Sequence, residues 1–312
     1  MYIAVPDFIS NTMFPVLAAQ ELRFFEHEGL NVEVQLLTGF RALQAFSEGV
    51  VDFYASTAEE PLAMFPNWEG AKLLGALAQG TPYVLVMRRN LRIRRNDLDS
   101  LTGRRIGAAP APARVLKHLL AQAGIDSEKE RVEIVPIPGT SGAGVSTGVT
   151  AARVLADGQL DGLWANALGA EVAVHLGVGD VIVDCRRGDG PPGAAGYTFA
   201  ALATTESKIE SNAREVESVV RAVVRAQNAL REDPSRAMTA ASRIFPALEA
   251  ELTGEVVRRD VEFYDWSISE ESVGQLNSFA QSAGLLADPV RYTQVVATGF
   301  LGEASGPETP SG

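Results

Sequence analysis

The side chains able to make or break bonds are few in this chain, and their spacing favours gripping a small molecule over transforming it. Cys185 is the single cysteine, and Arg186 and Arg187 follow it, a setting that could lower a thiol pKa. A nucleophile also needs a base, and the nearest histidine in sequence, His175, is ten positions away. His27, His118 and His175 show no metal-ligand spacing, so neither a metal nor a cofactor is expected, and one cysteine forms no internal disulfide.

Binding chemistry is better represented. Arg41 and Arg114 each stand a few residues after a strand-like run, early in a helical pattern, where a guanidinium can hold a carboxylate or sulfonate through two parallel hydrogen bonds. Each is equally well a solvated helix residue, because a cation near a helix N-terminus opposes the dipole. Ser10, Asn11 and Thr12 can donate to a ligand or cap the helix that follows. Ser56, Thr57 and Asn166 follow buried strands and have the same two readings. Glu59 and Glu60 could accept from an ammonium or a pyrimidine amino group, or simply suit the dipole of the helix they open. Phe8, Phe40, Tyr54, Trp164 and Tyr197 lie at strand ends, as walls for a flat or apolar ligand or as ordinary core. Thr38, Gly80, Ala109 and Thr140 complete the candidate set, the last within a glycine-rich run, 139–148, that could wrap an anion with backbone N–H groups or be a surface loop. That run lacks the Lys-Ser/Thr ending of a nucleotide P-loop.

Composition narrows the partner. Of 312 residues, 27 are Lys or Arg and 39 are Asp or Glu, a formal net charge of −12, so no broad basic surface follows a phosphate backbone and nucleic acid is not expected. The arginines at 88, 89, 92, 94 and 95 read as a solvated edge. No apolar run is long and unbroken enough to span a membrane, since 134–152 and 73–87 are interrupted by proline, glycine and polar residues. The N-terminus leads directly into a strand-like Tyr2-Ile3-Ala4-Val5 without the pattern of a signal peptide, which suggests a cytoplasmic chain or one whose signal has been removed.

An internal echo positions these groups. Val32-Glu33-Val34 and Val132-Glu133-Ile134 lie 100 positions apart, and each precedes a helical pattern ending in Gly-x-x-Asp, at Gly49 to Asp52 and Gly158 to Asp161. Upstream of each copy is another strand and helix: 2–6 with a helix through about Glu28 closed by Gly29, and 105–109 with a helix through about Ala123 closed by Gly124. Each half is therefore strand, helix, strand, helix, strand, and strands alternating with helices imply parallel pairing. The runs 82–87 and 197–203 read as strands linking the two halves, and 180–184 as a late strand of the second. Beyond Thr205 the pattern is helical, over 213–232 and from about Ser235, Leu248 and Glu270, and the tail from Gly302 is too polar to pack. The expected fold is α/β: lobe one from 1–84 and 198–301, lobe two from 85–197, a cleft between them, two crossover segments, C-terminal helices on lobe one, and a disordered 302–312.

In this order of segments the chain resembles the type II periplasmic solute-binding proteins of ABC importers, in the nitrate/sulfonate/taurine and pyrimidine-precursor branch. The match is carried by 18–34, a helix ending at Gly-Leu before a Val-x-Val strand, by Gly49-Val50-Val51-Asp52-Phe53, and by Phe279-Ala280-Gln281-Ser282-Ala283-Gly284-Leu285-Leu286. The resemblance implies a monomer that closes on a small organic molecule, an anion such as a sulfonate or carboxylate, and delivers it to an ABC permease from the periplasm or the cell exterior. It also extends to desulfinases and pyrimidine-forming enzymes, which rely on a first-lobe cysteine or a His/Cys-rich motif, and this chain has neither. An enzyme on the same fold and a cytoplasmic ligand sensor are the alternatives.

Overall fold

The computed structural model describes residues 1–7, 10–37, 40–140 and 147–300. Phe8, Thr38, the side chain of Phe40, most of the glycine-rich run and the C-terminal tail lie outside the described residues.

The first sheet has the order β2-β1-β3-β10-β4, from β1 (Tyr2–Val5), β2 (Glu33–Leu36), β3 (Phe53–Thr57), β4 (Ala71–Ala78) and β10 (Ala200–Thr205). The second repeats that permutation as β7-β6-β8-β5-β9, from β5 (Tyr83–Arg88), β6 (Arg105–Ala108), β7 (Glu133–Val135), β8 (Gly162–Asn166) and β9 (Gly179–Asp184). The sequence echo is visible in the registers: Ile3 pairs with Val34, and Ile106 with Ile134. The parallel pairing expected from the alternation holds for β1 with β2 and β3, and for β6 with β7 and β8. The linking strands, which lie outside that alternation, run the other way. β10 runs antiparallel to β3 and β4, and β5 antiparallel to β8 and β9. The reason is the crossover: each of these strands arrives from the other lobe at the cleft end of its sheet and runs away from it, whereas β3 and β8 run toward it.

Helices α1 (Phe14–Glu21), α2 (Phe24–His27) and α3 (Phe40–Ser47) serve the first sheet, and α4 (Pro110–Gln122), α5 (Thr147–Ala156) and α6 (Ala167–His175) the second. The single helix expected through Glu28 is two, because Arg23 takes a left-handed φ of 63° between α1 and α2. The Gly-x-x-Asp motif has the same structure in both lobes. Gly49 and Gly158 adopt φ of 70° and 72°, end α3 and α5, and let the next N–H reach back five residues, Val50 to Ala45 O and Gln159 to Val154 O. The aspartate then accepts from the first N–H of the neighbouring strand, Asp52 from Tyr2 and Asp161 from Arg105.

The C-terminal extension comprises α7 (Glu206–Glu232), α8 (Ser235–Ala241), α9 (Ala247–Asp260), α10 (Glu270–Ser282) and α11 (Tyr292–Val295). Helix α7 starts earlier than its apolar pattern, with Thr205 Oγ1 accepting from Lys208 N, and Asn212 interrupts it with φ −145°. Val216, Val219, Val220 and Val223 are buried against α1 and α2. The extension also reaches lobe two, where α9 packs on α6 and Arg259 pairs with Glu171 at 2.6 Å.

Candidate functional site

The cleft residues of lobe one are set by the end of β3. Ala58 N donates to Phe199 O at 2.9 Å, and a 3-10 turn over Glu60–Ala63 follows. This turns Glu59 fully inward, where Oε1 accepts from Thr57 Oγ1 at 3.0 Å and Oε2 accepts from Thr198 Oγ1. Both oxygens are satisfied, as a buried carboxylate requires. Its neighbour Glu60 accepts from the Tyr54 hydroxyl. Burial pushes the Glu60 carboxyl up to about 7; the Tyr54 hydrogen bond opposes the rise, the Glu59 charge adds to it, and the Arg114 charge and Thr57 oppose it.

Lobe two contributes Arg114, the fifth residue of α4. Its Nε is buried without an acceptor, and it forms no ion pair among the described residues. Tyr83, at the start of β5, feels the charges of Glu59, Glu60 and Arg114, and burial first, then the two carboxylates, holds its phenol well above the ordinary value. Burial likewise raises Tyr54 far above it, so both phenols stay neutral. The Tyr83 ring lies 5.7 Å from that of Trp164, whose Nε1 donates to Pro112 O at 2.9 Å. Trp164 is a wall of the lobe-two core and Tyr54 of the lobe-one core, each 1% exposed.

Other predicted residues tie the lobes together. Asn166 caps α6 by accepting from Gly169 N at 2.9 Å, and its Nδ2 donates to Asp7 Oδ2 in lobe one at 2.6 Å. Asn11 is buried, with Nδ2 donating to Asp260 Oδ2 at 3.0 Å and Oδ1 unpartnered. The same Asp260 oxygen accepts from Arg186 Nη2 at 2.7 Å, and Oδ1 from Arg187 Nη2 at 2.6 Å and Arg259 Nε at 3.2 Å. Burial opposes the charge on Asp260, but the Arg186 and Arg259 charges and the arginine hydrogen bonds hold its carboxyl below the ordinary range. Gly80 makes this crossing possible, because at its φ of 75° a Cβ would stand 2.9 Å from Arg186 Cγ.

The remaining candidates are dispersed. Ser10 is buried and shares a hydroxyl hydrogen bond with Thr12 at 2.9 Å, and Ser56 donates to Thr57 O. Arg41 is exposed on α3 and Ala109 is exposed at the N-cap of α4. Thr140 donates to Ile137 O at 2.8 Å. Tyr197 precedes β10, whose strand begins three residues later than the 197–203 reading, and packs its ring 4.4 Å from His118 with an unpartnered hydroxyl. Cys185 is fully buried, and burial followed by the charges of Asp184 and Asp189 pushes its thiol up to about 12, the opposite of the activation that two following arginines suggested. Sequence reasoning missed Tyr83, Thr198 and the Arg186–Asp260 pair. Their one signal was position: Tyr83 opens β5, Thr198 lies two residues before β10, and Arg186 sits in the short link after β9.

No curated protein matches the chain in sequence. Solved structures match over almost the whole of it and establish the type II periplasmic-binding-protein fold. A protein from Bordetella bronchiseptica RB50 superposes with a TM-score of 0.74 at 19% identity, covering 97% of this chain and 96% of its own. The alkanesulfonate-binding protein SsuA from Xanthomonas axonopodis pv. citri, bound to MOPS, gives 0.68 at 14% identity, with 95% and 97% covered. A cysteine-to-serine mutant of the desulfurization enzyme DszB, in complex with biphenyl-2-sulfinic acid, gives 0.67 at 20% identity, with 97% and 98% covered. The family model described as NMT1/THI5 like matches residues 10–237, most of the chain, and this protein belongs to that family.

Proposed function

We propose that this chain is the solute-binding component of an ABC-type importer, working as a monomer in the periplasm or at the cell exterior and handing its ligand to a membrane permease. Lobe one, 1–84 and 198–301, and lobe two, 85–197, close about the two crossovers, the first junction falling within the opening residues of β5. The ligand is a small organic molecule with an acidic group, a carboxylate or sulfonate. Arg114 carries this reading: a half-buried guanidinium of lobe two that faces Glu60 of lobe one and acts on Tyr83, with a buried unpartnered Nε and no ion pair among the described residues, keeps donors free for an anion. Tyr83 and Thr57 supply hydroxyls beside it. The likeness of fold to an alkanesulfonate-binding protein is consistent with this choice of ligand.

An enzyme on the same fold is the competing reading, which the likeness to DszB keeps in view. Cys185, buried and with its thiol at about 12, is not available as a thiolate nucleophile. The two readings separate in a thermal-shift and native mass spectrometry screen of sulfonates, carboxylates, nitrate, pyrimidines and aromatic acids. A compound that stabilises the protein and returns unchanged supports import; conversion of the compound overturns it.

A further inference from the structure

We infer that anion capture beside Arg114 is proton-linked, with Glu60 taking up the proton when an anion enters the cleft. The inference rests on the anion reading above. Its basis is a charge count across the cleft. Lobe one brings two carboxyls on consecutive residues, Glu59 and Glu60, and among the described residues the cation that acts on Glu60 from lobe two is the guanidinium of Arg114. Tyr54 and Tyr83, the other titratable groups facing Glu60, remain neutral phenols. With both carboxyls ionised, an incoming anion would be a third negative charge beside Arg114 in a largely buried region, where each like-charge contact is costly.

The two carboxyls are not equivalent candidates for neutralisation. Glu59 is fully buried and accepts a threonine hydroxyl on each oxygen, so both oxygens are already engaged. Glu60 is partly exposed at the cleft, and its hydrogen-bond partners are neutral: the Tyr54 hydroxyl, which donates to Oε2, and the Thr57 hydroxyl, whose proton is directed at Glu59, so neither demands an ionised Glu60. Its elevation to about 7 places protonation within reach of a modest change in its surroundings. The proton comes from solvent and no bond in the ligand changes.

The test is isothermal titration calorimetry with methanesulfonate and with benzoate, in pairs of buffers of different ionisation enthalpy. At pH 7.5 we expect net proton uptake approaching one per bound anion, with affinity flat below pH 7 and falling about tenfold per pH unit above it. Glu60→Gln, which keeps the side chain's size and can still accept from Tyr54, should bind with no proton uptake and with pH-independent affinity. Binding by the unaltered protein without proton uptake overturns the linkage alone, as does persistence of the pH dependence in Glu60→Gln. Failure of both anions to bind overturns it together with the anion reading.

Discussion

The side-chain amide of Asn166 donates to Asp7 Oδ2 at 2.6 Å, joining the N-cap of α6 in lobe two to the residues that follow β1 in lobe one. Its other atom, Oδ1, accepts from Gly169 N, so one side chain both starts a helix and draws the lobes together. Asn166→Ala should cost about 1 kcal/mol of stability through the lost cap and raise the radius of gyration measured by small-angle scattering. Asn166→Asp should keep the cap but set a carboxylate against Asp7, so it expands the molecule without that loss. Unchanged scattering for both variants would show that this bond does not hold the lobes.

Asp260 is a buried hub for three arginines, and the Arg186 side chain beside it is 1% exposed with Nε and Nη1 already unpartnered. Asp260→Asn removes the ion-pair partner of a buried cation and should destabilise the protein by roughly 3–5 kcal/mol in urea unfolding. Because the Asp260 carboxyl is held below its ordinary value, its contribution is present above the ordinary carboxylate range and disappears as pH falls through the lower folded value. The gap between the two proteins should therefore narrow in acid; a constant gap from pH 7 to pH 3 would contradict the assignment.

Asp52 and Asp161 are the same device used twice. Each accepts from the first N–H of the adjacent strand and pairs with a cation beside the crossover strand, Lys208 at 2.8 Å and Arg88 at 3.1 Å. Asp52→Ala and Asp161→Ala should each cost about 1–3 kcal/mol. A loss confined to one of them would break the proposed equivalence.

Cys185 should be inert. Iodoacetamide at pH 8 is expected to leave it unmodified in the native protein and to label it fully once the chain is unfolded, as mass spectrometry would read directly. Cys185→Ala should bind ligand as the unaltered protein does. Rapid native labelling would restore the cysteine as a nucleophile.

Much of the fold was legible because the repeat acts locally. Val32-Glu33-Val34 and Val132-Glu133-Ile134 flank β1 and β6 in the same register, and a glycine closing a helix before Asp52 or Asp161 is a short-range signal. Strand direction was not legible, since β5 and β10 run antiparallel only because the chain crosses between lobes before entering them. Among the candidate residues, Thr57 donates to Glu59 and the Arg114 charge acts on the adjacent Glu60, while Arg41, of the same residue type and in a similar place, is exposed. The Asp260 hub could not be foreseen, because it joins Asn11 and Arg186, 249 and 74 positions away, and only tertiary packing makes them neighbours.

Arg114 is proposed to hold an acidic solute that leaves the cleft unaltered. Native mass spectrometry of the protein with the anion that most raises its melting temperature, alongside Arg114→Ala, addresses this directly. One equivalent should be bound and recovered with unchanged mass, and affinity should be at least about tenfold weaker in the variant, the loss of roughly 1.4 kcal/mol or more. Recovery of a converted product, or equal affinity in Arg114→Ala, would contradict it.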